Sequence, residues 1–186
     1  MSEQADIAWT ETGRERLFNT RVFDLAEARC RSPDGREALF NIIEAQDWGI
    51  VIPVFEHADG YSFLMVRQWR HGSQCESIEF PGGVIERGED PADGVRRELM
   101  EETGYRCEEL ELLSSMNPNP AIMANTVHIY LARGLSLAGA QDLDENEYLN
   151  VLTVPEKELI LQNGKPPYIH AIMSAALGLW LQRRLQ

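Results

Sequence analysis

The 186-residue sequence lacks an apolar run long enough to cross a bilayer, which takes about 20 residues. It is poor in positive charge: 17 Lys and Arg against 30 Asp and Glu leave a net charge of −13. Binding to a phosphate backbone needs clustered Lys and Arg, so no nucleic-acid partner and no membrane partner are expected. The opening residues, MSEQADIAWTETGRER, lack the basic start and apolar centre of a secretory signal, so a cytoplasmic location is expected. Cysteine is scarce. Cys30, Cys75 and Cys107 are odd in number, far apart and without a CxxC pair, which argues against a disulfide framework or a zinc knuckle.

What is present is a globular composition. A hydrophobic share of 44% is enough for a core, and the length suits one domain or one domain with an extension. An acidic chain still binds an anionic ligand where a divalent cation inverts the local field.

Residues 1 to about 16 read as poorly ordered, or as tied down only by a partner. TRVFDLAEARCR reads as a strand, SPDG as a turn and REALFNIIEAQDW as a returning strand, giving an N-terminal hairpin. GIVIPVF reads as a central strand, EHADG as a hairpin turn, YSFLMVRQWR as the next strand, and SIEFPGG as a short strand ended by Pro-Gly-Gly. Asp90 suits an N-cap, Pro91 a first helical position and Gly104 a left-handed helix exit, so a helix is predicted over 91–103. CEELELLSSM and NTVHIYLARG read as strands around the loop NPNPAIMA, and AQDLDENE as an acidic loop. YLNVLTV reads as a strand, PEKELILQ as a short helix, and PYIHAIMSAALGLWLQRRL as a buried terminal helix. Strands first, then helix, strands and helix give an α+β class, with helices packed on a mixed sheet.

On a helical wheel Ala92, Val95 and Leu99 form one stripe, and Glu98, Glu101 and Glu102 form the adjacent one. The carboxylates then flank the buried face, where they lose hydration and repel each other unless a cation compensates. Hard oxygen donors with no nearby Cys or His point to magnesium, with manganese able to substitute. Glu89, in the loop entering the helix, is placed to add a ligand. Taken alone, the same glutamates also suit a solvated acidic face with arginine partners.

The segment GVIERGEDPADGVRRELMEETGY, residues 83–105, resembles the complete Nudix box: Gly, five residues, Glu, seven residues, then Arg-Glu-Leu-x-Glu-Glu-x-Gly. The resemblance implies an α/β/α sandwich and hydrolysis of a nucleoside diphosphate linked to another group. It implies Glu98 and Glu102 as principal metal ligands, Glu101 contributing, Glu89 helping, and the Gly82 carbonyl adding a ligand. Arg97 would orient a box glutamate, while Gly83 and Gly104 would be structural.

The N-terminal hairpin, VRQWR and SIEFPGG together resemble the ADP-ribose and nucleotide-sugar pyrophosphatases. This resemblance implies residues 1–45 as a β extension joining a homodimer and residues 46–186 as the hydrolase domain. Trp48 matches a position that stacks on the base, and an interface tryptophan is the equal alternative. Arg70 matches an arginine near the diphosphate, and Glu79 would line the same cleft, with a strand-edge carboxylate as the alternative. Pro120 keeps the family's spacing after the box. The following stretch departs from the family, because NPNPAIMANTVH carries no acid and Asn125 stands where relatives have a glutamate base. The next acids, Glu145 and Glu147, become the candidates for that role, and His128 is a further candidate that a strand position makes a binding or packing histidine.

The expected activity is thus magnesium-dependent hydrolysis of a nucleoside diphosphate sugar, with ADP-ribose first and GDP-mannose or a broad range next. A non-catalytic nucleotide-sugar sensor is disfavoured by the intact box. An isoprenoid diphosphate isomerase is weakly disfavoured by Trp48 and the hairpin.

Overall fold

A computed structural model describes residues 6–185 of the chain. The chain forms two compact units, residues up to 46 with 117–126, and residues 47–116 with 127–186.

The first unit is a three-stranded antiparallel sheet, β1 (Thr10–Asn19), β2 (Phe23–Arg31) and β3 (Glu37–Ala45), in that order. β1 corrects the expectation of a poorly ordered start over residues 10–16; residues 1–5 of that stretch lie outside the described residues. All ten of its residues are exposed, so its pairing with β2 rests on backbone bonds and surface charge. Arg14 bridges Glu11 of the same strand at 2.6 Å and also Glu44 of β3. Residues 117–126 join this unit through a bridge between Ile43 and Met123.

The second unit holds a seven-stranded mixed sheet. β4 (Trp48–His57) lies beside β10 (Val127–Arg133) in parallel; β5 (Gly60–Arg70), β12 (Leu149–Pro155) and β9 (Glu109–Met116) extend it antiparallel, in the order β12-β5-β4-β10-β9. β6 (Cys75–Glu79) pairs β5, and β7 (Gly82–Val84) pairs β4. A small ribbon joins β8 (Tyr105–Arg106) to β11 (Ser136–Leu137). Three helices follow in chain order: α1 (Pro91–Thr103), α2 (Glu156–Gln162) and α3 (Ala171–Arg184).

Each face of this sheet buries a separate core. α1 puts Val95 and Leu99 against Val51, Leu64, Ile85 and Tyr130. α3 puts Met173, Ala176, Leu177 and Trp180 against Ile52, Phe63, Met65 and Ile129. Each large apolar side chain so buried contributes about 1.5–3 kcal/mol. Trp180 meets Phe63 edge-on at 5.6 Å, and its Nε1 donates to Glu156 Oε1 at 2.7 Å. These layers give the α+β sandwich that the order of elements implied.

α1 starts and stops as its sequence signals require. Asp90 Oδ1 accepts from Ala92 N at 2.9 Å, and Gly104 sits at φ 74°, donating its N–H to Met100 O. α3 begins later than expected, because residues 167–170 are not helical and His170 is its N-cap without a side-chain hydrogen bond. A further correction concerns Gly82 and Gly83, which form β7 and not merely a break.

Candidate active site

β4 is shared along its length. Its first residues, Trp48–Ile50, pair with β7, and its last, Val54–His57, pair with β5. The residues of the β4–β7 pairing line a cleft of about 280 Å³. Trp48, Ile50, Phe80, Val84 and Ile172 supply apolar wall, and Arg70, Glu79 and His170 supply the polar part.

The floor is Gly82–Gly83. Gly82 has φ 155°, and a Cβ there would lie 2.1 Å from Gly49 O. At Gly83 a Cβ would lie 2.6 Å from Glu98 Oε1. Only the missing side chains let β7 lie against both β4 and the glutamates of α1.

The three glutamates of α1 differ sharply in depth. Glu102 is 4% exposed and accepts from Gly82 N at 2.9 Å. Its burial is deeper than the flanking position that the wheel gave it. Burial pushes its carboxyl up to about 8, the Gly82 N–H opposes this, and the charges of Glu98 and Glu147 add to it. Glu98 is largely buried and also raised, first by burial and then by Glu101 and Glu147, against the pull of Arg97. Glu101 is the outermost of the three, and Arg97 bridges it at 2.9 Å.

Arg97 gathers this site. Its guanidinium contacts Glu89 at 3.0 Å, Glu98 at 2.8 Å and Glu101 at 2.9 Å, and donates to Val84 O at 3.0 Å. The hydrogen bonds from Arg97 hold Glu89 below the usual carboxylate range. Glu102 receives no such bridge from Arg97, so it is the carboxylate most in need of another cation.

Among the described residues, no three His, Cys, Asp or Glu side chains converge as a ready cation cage. The donor chemistry still fits a hard divalent cation. Glu98 and Glu102 offer carboxylate oxygens that have lost hydration, and the charge of Glu98 raises the proton affinity of Glu102, which is the state a nearby cation reverses.

The remaining expected residues fall into two groups. Arg70 and Glu79 meet in the cleft: Arg70 Nε and Nη2 donate to Glu79 Oε1 and Oε2 at 2.9 and 2.5 Å. Glu79 is 1% exposed; burial would raise it, yet Arg70 and His170 together hold it low. Glu147 is exposed, and its charge acts on Arg70, Glu98 and Glu102. Glu145 is exposed in the same loop and is not among the charges that act most strongly on those groups.

His128 is not part of the cleft lining. Its Nε2 lies 3.5 Å from Asp47 Oδ2, and its Nδ1 bonds Ser115 Oγ at 2.9 Å. Asn125 belongs to the first unit, where it is 3% exposed and donates to Gln46 O at 3.1 Å. Phe80 and His170 are among the cleft residues that the sequence reading does not single out. His170 was hidden because the apolar run of α3 extends the apparent helix across it. Its place is set by the preceding loop, where Ile78 of β6 donates to Pro167 O at 3.0 Å.

Residues 46–174 match the family model described as NUDIX domain. The chain is 31% identical over 175 residues to an ADP-ribose pyrophosphatase of Bacillus subtilis, covering 93% of each chain. It is 33% identical over 147 residues to a methanol dehydrogenase activator of Bacillus methanolicus, covering 78% of each. Among solved structures it resembles that of an ADP compounds hydrolase, with a TM-score of 0.83 over 98% of both chains at 20% identity.

Proposed function

The chain belongs to the NUDIX domain family, and from that premise we propose that it hydrolyses the diphosphate of a nucleoside diphosphate sugar. ADP-ribose is the leading substrate, with AMP and ribose 5-phosphate as products. The observation that carries this reading is the pair Glu98 and Glu102, buried side by side beneath the glycine floor of an apolar cleft. The relatives named for ADP-ribose and ADP compounds support the choice of ligand.

In this reading Glu98 and Glu102 hold a divalent cation, magnesium first, with Glu101, Glu89 and the Gly82 carbonyl as helpers. When bound, such a cation neutralises charge building on the diphosphate oxygens and lowers the pKa of bound water. Arg97 fixes Glu89, Glu98 and Glu101 in one arrangement. The Arg70 guanidinium, held at two nitrogens by Glu79, presents its remaining edge to the diphosphate. Trp48 and the apolar wall receive the base. Glu147 takes the proton of the attacking water, because its charge already acts at Glu98 and Glu102.

The exposed apolar residues of the first unit support a homodimer. Leu17, Phe18, Leu39 and Phe40 on its small sheet and Val22 in the β1–β2 turn are 42–71% exposed. His128 and Asn125 drop out of the ligand-contacting set in this reading.

The substrate reading is tested by kcat/KM with magnesium for ADP-ribose, ADP-glucose, GDP-mannose, UDP-glucose and a dinucleotide. ADP-ribose is expected to lead, and no turnover of any of them would sink the proposal. The glycine floor gives a second test. Gly83→Ala is expected to displace Glu98 and lower kcat by about 10²-fold, the scale set by misplacing a catalytic group by ~1 Å. Circular dichroism should show the fold retained; near-normal kcat would mean that the floor tolerates a side chain.

A further inference from the structure

His170 has no role in the chemistry above, yet it stands in the cleft. Its side chain is 28% exposed while Nδ1 is closed off from solvent. The exposure of the side chain therefore lies on atoms other than Nδ1. Nδ1 lies 3.3 Å from Glu79 Oε2, within ion-pair reach, without the geometry of a hydrogen bond.

Glu79 decides which ring nitrogen carries the proton. Its carboxylate accepts from Arg70 at both oxygens and has no proton to offer. The nitrogen facing it must donate, so Nδ1 holds the hydrogen. Burial and the Arg70 guanidinium both disfavour a charged ring, against the pull of Glu79. In the neutral ring Nε2 is then a bare acceptor.

An acceptor set among Trp48, Ile50, Phe80 and Ile172 repels phosphate oxygens and seeks a hydrogen-bond donor. On a nucleoside diphosphate sugar the donors are sugar hydroxyls and the exocyclic amine of the base. We propose that His170 reads one such donor through Nε2, with Glu79 fixing the tautomer. This rests on the function proposed above and assigns a specificity residue within it.

A cycle of variants and ligands tests it. Wild type, His170→Ala and His170→Asn are compared on ADP-ribose, on analogues lacking single terminal-sugar hydroxyls, and on the hypoxanthine analogue lacking the base amine. In wild type, removing the donor that is read lowers kcat/KM roughly 5- to 100-fold, mostly through KM. In His170→Ala, ADP-ribose falls by a similar factor, and removing that donor has no further effect. Coupling to a hydroxyl or to the amine identifies the source. His170→Asn keeps an N–H for Glu79 but lacks Nε2, so it behaves as His170→Ala does. Full activity of His170→Asn, or additive losses for every analogue, overturns the proposal while the hydrolase reading stands. No turnover by wild type overturns both readings, a result distinct from additivity.

Discussion

Glu102→Gln is expected to lower kcat by at least about 10³-fold and, in EDTA, to raise the thermal stability of the protein. The two effects have one cause. Glu102 is 4% exposed, with the Gly82 N–H as its hydrogen bond, and Glu98 and Glu147 oppose its charge. The folded metal-free chain therefore holds the carboxyl proton up to about pH 8, while the unfolded chain releases it near 4.5. More protons are bound folded than unfolded between those values, so metal-free stability falls as pH rises through that window. Glutamine does not ionise, and its amide oxygen still accepts from Gly82. The stability gap between variant and wild type in EDTA should be small near pH 5 and widen to a few kcal/mol by pH 8. Adding magnesium should raise the melting temperature of wild type and leave that of Glu102→Gln nearly unchanged. A variant that keeps normal kcat, or gains nothing in EDTA, would remove Glu102 from the metal site.

Glu147→Gln is expected to lower kcat by about 10²- to 10⁴-fold, the usual contribution of a general base. Glu145→Gln, in the same loop, is expected to change kcat by less than about threefold. The contrast comes from electrostatics, since Glu147 is the acid of the pair among the strongest influences on Glu98 and Glu102. Neutralising Glu147 leaves Arg97 and its three glutamate partners in place but removes a negative charge that acts on Glu98 and Glu102, so cation affinity should weaken modestly while kcat at saturating magnesium falls by the factor above. Equal, small effects of both substitutions would leave the loop with no part in proton transfer.

Much of the site was legible because its signals are local. Asp90, Pro91 and Gly104 bracket α1 by capping chemistry alone, and the spacing from Gly83 to Glu102 carries the box. What stayed hidden depends on distant partners. β1 has no inward stripe to read, since all ten residues are exposed and its pairing is backbone and charge. β7 lies in Gly82–Val84, whose only strand signal is the fit of bare glycines against Gly49 and Glu98. The depth of Glu102 follows from the Gly82 N–H, twenty residues away, which a helical wheel does not contain. His170 was lost for a third reason. The apolar run of α3 offers no Ser, Thr, Asp or Asn to mark its start, so the cleft residue at its N-cap read as one more helical position.

Cation-assisted hydrolysis of a sugar-linked diphosphate is tested most directly by phosphorus NMR. ADP-ribose is incubated with the protein in ¹⁸O-water, with magnesium and with EDTA. AMP and ribose 5-phosphate, one of them carrying ¹⁸O, are expected with magnesium, and no conversion in EDTA. Conversion in EDTA at the same rate, or release of ADP and free ribose, would contradict it.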